Sequence, residues 1–129
     1  MLRWLLMKAS LRDESPLGLK ERRRLHGQEY VDRFEKEQSW RRLGRLTSHF
    51  DLPPAAVVAD FACGNGMLLE LLGDRVGTYH GVDFSPEFIS AADARRRRLG
   101  ADHATFHCEA IEDFCARRPD TFDAGFAMT

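Results

Sequence analysis

A doubly wound, mostly parallel α/β sheet is the fold class predicted for this 129-residue chain, and two observations predict it. From residue 55 onward, short β-branched or aromatic runs alternate with helical stretches, the rhythm of strand–helix–strand units joined by right-handed crossovers. The first run, AAVVADF, enters a small glycine-bearing turn, Asp60-Phe61-Ala62-Cys63-Gly64-Asn65-Gly66, which opens a leucine-rich helix. Turns between a strand and a helix in such a sheet lie at its carboxyl edge, where open α/β folds bind ligands.

Residues 1–15 carry no ordered pattern. At Ser15-Pro16 a cap residue precedes a proline suited to a first helical turn, and Leu25, Val31 and Phe34 supply an apolar stripe through a charged segment. Ser39 caps a second helix in which Trp40, Leu43, Leu46 and Phe50 recur at helical spacing. Asp51-Leu52-Pro53-Pro54 ends it, because proline cannot continue the backbone hydrogen bonding. Residues 16–54 therefore form two leading helices and 55–129 a β/α core, in one domain spanning 1–129.

Within that core, 55–61 reads as a strand buried on both faces. Residues 66–74 read as a helix stopped by Gly73, and 78–84 as a second strand. Ser85-Pro86 opens a helix over 85–100 that Gly100 closes, and 104–110 is a third strand. A short helix over 111–119 leads to a fourth strand, 121–129. No internal repeat or low-complexity tract interrupts this order.

Composition excludes several classes of function. Nineteen basic and twenty acidic residues give a net charge of -1, so no global field draws the chain to nucleic acid or an anionic membrane. ARRRRLG (94–100) and KERRR (20–24) are short enough to be solvated helix faces, the former also complementing a helix C-terminus. No stretch has the length of a membrane span, and the apolar start, interrupted by Lys8, lacks the pattern of a cleaved leader; a start at Met7 is an alternative to Met1. Cys63, Cys108 and Cys115 are odd in number and without C-x-x-C spacing, which points to a reducing cytoplasm. The five histidines show no metal-ligand spacing, so no metal is expected, and no catalytic nucleophile is assigned.

The glycine turn narrows the ligand. A dinucleotide fingerprint would place its third glycine at position 69, which is Leu69, and the phosphate-loop pattern is absent. What stands there is Asp60-x-Ala62-x-Gly64-x-Gly66, which resembles motif I of the class I S-adenosylmethionine-dependent methyltransferases, with Ala62 in place of the first glycine. The resemblance runs from the first strand to the last residue and implies a Rossmann-like sheet with S-adenosylmethionine as cofactor. It further implies that the backbone at Ala62, Cys63, Gly64 and Gly66 lies along the methionine part, with Asp60 drawn to the positive amino and sulfonium groups. Asp83 would hold the ribose hydroxyls, the alternative being a helix cap, for which Ser85 is better placed. Phe84 and Ile111 would flank the adenine, with Glu109 and the Ala110 N–H reaching its edge; Glu109 also reads as a surface residue opening a helix. Tyr30 is either an aromatic cover for the cofactor or one ring of an amphipathic helix.

Family members have seven strands, and this sequence stops after the fourth. The expectation is a cofactor-binding half, acting on a small-molecule acceptor, with the acceptor half missing and self-association through the bared fourth strand. A non-catalytic adenosylmethionine-binding module completed by a partner is the alternative, followed by an NAD(P)-binding oxidoreductase domain.

Overall fold

Val57–Phe61 (β1), Thr78–Asp83 (β2), Ala104–Cys108 (β3) and Ala124–Phe126 (β4) form one parallel sheet in the order β3-β2-β1-β4. The structure, a computed structural model, describes residues 27–118 and 121–127. The expectations for residues 1–15, for the helix start at Ser15-Pro16 and for Leu25 lie outside the described residues. Strand order reverses at β1, with β2 on one side and β4 on the other, and that reversal opens a crevice at the carboxyl ends of β1 and β4.

Among the described residues five α-helices flank the sheet: Gln28–Glu37 (α1), Trp40–Thr47 (α2), Met67–Leu72 (α3), Pro86–Leu99 (α4) and Ile111–Arg117 (α5). Their ends follow local chemistry. Ser39 Oγ accepts the Arg42 N–H at the start of α2, and Ser85 Oγ accepts the Phe88 N–H at the start of α4, where Pro86 fills the first turn. Gly100, at φ 64°, closes α4 in the left-handed conformation. Carbonyls at the end of α2 are met from elsewhere: the Arg75 guanidinium donates to Thr47 O at 2.9 Å and Phe50 O at 2.8 Å.

Alternation along the strands divides the core in two. Val58 and Tyr79 face Leu68, Leu69, Leu72 and Val76, while Ala59 and Val82 face Phe114 of α5. Leu69, in the place of the missing third glycine, is thus a core residue at 1% exposure.

Several boundaries contract from those predicted. Ala55 has φ 57° and is kept out of β1. The helix predicted over 66–74 has six residues and tightens into a 3₁₀ turn at Gly73–Arg75. Glu109 and Ala110 leave β3, Ala110 becoming the N-cap of α5. β4 has three residues, entered through Asp123, whose N–H donates to Val57 O while its carboxylate accepts the Val57 N–H, both at 2.8 Å. The arginine run is not one solvated face. Arg95 is 6% exposed, paired with Glu35 and Glu70 and lying 5.0 Å over the Trp40 ring. Charge neutralisation and ring stacking draw it inward where periodicity alone placed it outside.

Candidate functional site

At the end of β1 the chain reverses through residues 62–66, and three of these five take left-handed backbone: Ala62 (φ 56°), Gly64 (φ 54°) and Gly66 (φ 75°). The two glycines are needed for different reasons. A Cβ on Gly66 would meet Phe106 Cζ at 2.9 Å and Ala92 Cβ at 3.2 Å, so this residue lets α3 start against β3 and α4. A Cβ on Gly64 would meet only the rings of Phe34 and Phe88, at 3.6 and 3.8 Å. The Cα hydrogen of Gly66 that a side chain would replace therefore points to the core. Ala62 carries its burden in the backbone, because a left-handed alanine costs roughly 1–2 kcal/mol.

Asp83 closes β2 and clamps the turn. It is 7% exposed; one carboxylate oxygen accepts the Gly64 N–H at 3.0 Å and the other accepts the Ser85 N–H at 2.9 Å. Each oxygen keeps a further lone pair. Ser85, not Asp83, caps α4. The amide of Gly66 is used within the turn, donating to Cys63 O at 3.1 Å.

Asp60 stands one strand over at 2% exposure, with its carboxyl accepting a hydrogen bond from the Tyr79 hydroxyl. Burial pushes its pKa up to about 7; the Tyr79 bond works against this, and the negative Asp83 adds to it. Burial and the same two carboxylates drive the Cys63 thiol well above its ordinary value, so it is no nucleophile.

Asp60, Ala62, Cys63 and Gly64 line a cavity of about 40 Å³, closed by Phe34 of α1, Gln38 just after it, Leu43 of α2 and Met67 of α3. That is room for a water molecule, not a nucleoside. A larger cavity of about 330 Å³ shares Phe34, Gln38 and Leu43 with it and is walled by Arg42, Leu46 and Ala127. No sequence motif pointed to these α1 and α2 residues; the usable signal was the helical spacing of Phe34 with Gln38 and of Leu43 with Leu46. Asn65 ties α1 down: it is 1% exposed and its amide donates to Glu35 and, at 3.1 Å, to Gln38 Oε1. Glu35 accepts from Arg95 as well, so one carboxylate joins α1, the turn and α4. Tyr30 packs edge-on to Phe88 and is stacked with Phe34, a place in an aromatic cluster.

The remaining expected residues gather at the ends of β2 and β3. The Glu109 N–H donates to Asp83 O at 3.1 Å, while its carboxylate accepts from Arg117. Ala110 and Ile111 open α5, Ile111 38% exposed, and Phe84 is half-buried. On the opposite face His80 Nδ1 and His107 Nε2 meet at 3.1 Å among Phe114 and Phe122, and burial lowers both pKa values. Of the four arginines in ARRRRLG, Arg96 and Arg97 pair with Asp93, and Arg95 and Arg98 with Glu70. Among the described residues no cluster of side chains could hold a metal ion, and no helix is long and apolar enough to cross a membrane.

Residues 58–129 match the family model described as a methyltransferase domain. The chain is 30% identical over 82 residues to a ubiquinone biosynthesis O-methyltransferase of Idiomarina loihiensis, an alignment covering 64% of this chain and 33% of that protein. The chain thus spans about a third of the length of the curated relatives it matches. Among solved structures it resembles the complex of the Haloferax volcanii Trm112 methyltransferase activator with a methyltransferase (TM-score 0.62, 23% identity, covering 78% of this chain and 43% of that one). It also resembles a SAM-dependent methyltransferase of Geobacter sulfurreducens in complex with S-adenosyl-L-homocysteine (TM-score 0.50, 27% identity, covering 67% and 34%).

Proposed function

The chain belongs to the methyltransferase domain family, and from that premise we propose that its β1–α3 turn binds S-adenosylmethionine as the methyl donor for a small-molecule acceptor. One observation carries the reading. A buried carboxylate at the end of β2, Asp83, is fixed against Gly64 of the turn, with lone pairs left for two vicinal hydroxyls. The donor set fits the cofactor along its length. Asp83 would take the ribose and Asp60 would face the cationic end. Arg42, the one cation lining either of the two adjoining cavities, would meet the methionine carboxylate. Phe84, Glu109, Ala110 and Ile111 would flank the adenine, Glu109 exchanging its Arg117 partner for the ring amino group or accepting both.

The cofactor supplies a methyl group on a sulfonium, already a good leaving group, so what the protein must add is alignment of the acceptor. The cavity of about 330 Å³ beside the turn, with Phe34, Leu43 and Leu46 in its walls, has the size and apolar lining of a small-molecule pocket. The relatives named for ubiquinone biosynthesis support an acceptor of that class. The pairing of all four arginines of residues 95–98 argues against a nucleic-acid substrate. Calorimetric titration with S-adenosylmethionine, S-adenosylhomocysteine and NAD tests the reading. Binding of the first two and not the third is expected; binding of NAD alone would refute it.

A further inference from the structure

Asp60 sets an electrostatic problem that the protein's own side chains do not solve. The carboxyl is buried at the wall of the cavity, and no cation neutralises it among the described residues. The titratable groups acting on it are Tyr79 and Asp83 of β2 and Cys63 of the turn, all of them neutral or negative. From the packed elements, α1 offers Phe34 and its C-cap Gln38, α2 offers Leu43, α3 offers Met67, Leu68 and Leu71, and β4 offers its register neighbour Phe126. None carries charge. A carboxylate in such surroundings lacks both solvent and counter-ion, and the neutral acid is the stable form.

Resting on the function proposed above, we infer that Asp60 is protonated in the empty site and gives up its proton when a cationic cofactor enters. Asp60 then selects the charged methyl donor, and uptake of that donor releases about one proton to solvent. The ligand would bring an ammonium and a sulfonium up to the turn beside Asp60, which is the counter-charge missing from the protein. The step is a proton transfer: the Asp60 O–H bond breaks, its electron pair stays on the carboxylate, buffer takes the proton, and the Tyr79 hydroxyl continues to donate to the carboxylate. Because the acid dissociates at about pH 7 in the empty site, release belongs to the interval below neutrality. His80 and His107 lie on the other face of the sheet and do not enter this balance.

The test is calorimetric titration of the full chain with S-adenosylmethionine at pH 6 in two buffers of different ionisation enthalpy. The expected release is roughly 0.8 proton per bound ligand at pH 6, falling toward zero by about pH 8.5, with affinity rising roughly fivefold per pH unit between about pH 5 and 7. Asp60→Asn keeps an acceptor for Tyr79 and should bind without buffer-dependent heat. Tyr79→Phe removes a bond that favours the carboxylate and should move the release to higher pH. Binding with no proton release in the wild-type chain, or equal release from Asp60→Asn, overturns the inference alone. Absence of binding by both S-adenosylmethionine and S-adenosylhomocysteine instead overturns the proposed function on which it rests.

Discussion

Replacing Gly66 by alanine should destabilise the fold far more than the same change at Gly100, although both residues have left-handed backbone. The backbone term is shared: an L-residue there costs roughly 1–2 kcal/mol, offset by about 0.4–1 kcal/mol from a stiffer unfolded chain. At Gly100 nothing lies within 4 Å of an added Cβ, so Gly100→Ala should cost only ~1 kcal/mol. At Gly66 the new methyl meets Ala92 at 3.2 Å on its Cβ and 3.4 Å on its Cα, atoms that move only with α4. It also meets Phe106 Cζ at 2.9 Å. Overpacking of this kind adds roughly 1–3 kcal/mol, giving a total of about 2–4 kcal/mol for Gly66→Ala. Urea unfolding followed by circular dichroism, analysed with a common slope, reads the difference directly. Two variants equal within about 0.5 kcal/mol would show that Gly66 serves only its φ angle, and that the start of α3 does not press on α4 and β3.

Asp83→Ala strips the acceptor from two buried N–H groups and should weaken S-adenosylhomocysteine binding about tenfold or more by calorimetry; unchanged affinity would remove Asp83 from the site. The His80–His107 pair should make the fold less stable as acid is added. Burial, with lesser contributions from Arg118 and His107, holds His80 at about 4, so the unfolded chain binds a proton first as pH falls from about 6.5. Stability is full above that window and lost progressively down to about pH 4; His80→Asn should flatten the slope between about pH 6.5 and 4.5 in denaturation at each pH. An unaltered slope would place the acid sensitivity elsewhere. Finally, the outer edge of β4 has no strand partner among the described residues, so the chain should self-associate through it. Light scattering over a range of concentrations checks this; a monomer throughout would refute it.

The sheet and its turn were legible because the relevant signals are local. AAVVADF, TYHGVDF and ATFHCEA are short runs carrying β-branched and aromatic residues, and each yields a parallel strand whose Cα register runs without a break. Ser39, Ser85 and Gly100 act as caps because their chemistry is decided within one helical turn. Strand lengths were overestimated where residues of suitable type are diverted, Ala55 into a turn and Ala110 into a cap. The non-local features were invisible. Nothing in ARRRRLG distinguishes Arg95 from its neighbours, since its burial depends on Glu35 lying 60 residues earlier and on Trp40. Gly64 and Gly66 look alike in sequence, yet one borders the cavity and the other the core. Ala62, read as a spare small residue, proves to be the one non-glycine in the turn at positive φ.

The position of Phe34 has a consequence for timing. Its ring stands 3.6 Å from where a Gly64 side chain would begin, on a helix that Glu35 fastens to both Asn65 and Arg95. A ligand that occupied the ground in front of Gly64 would meet Phe34 first, and its entry and departure would both require α1 to move aside against the bonds that Glu35 makes.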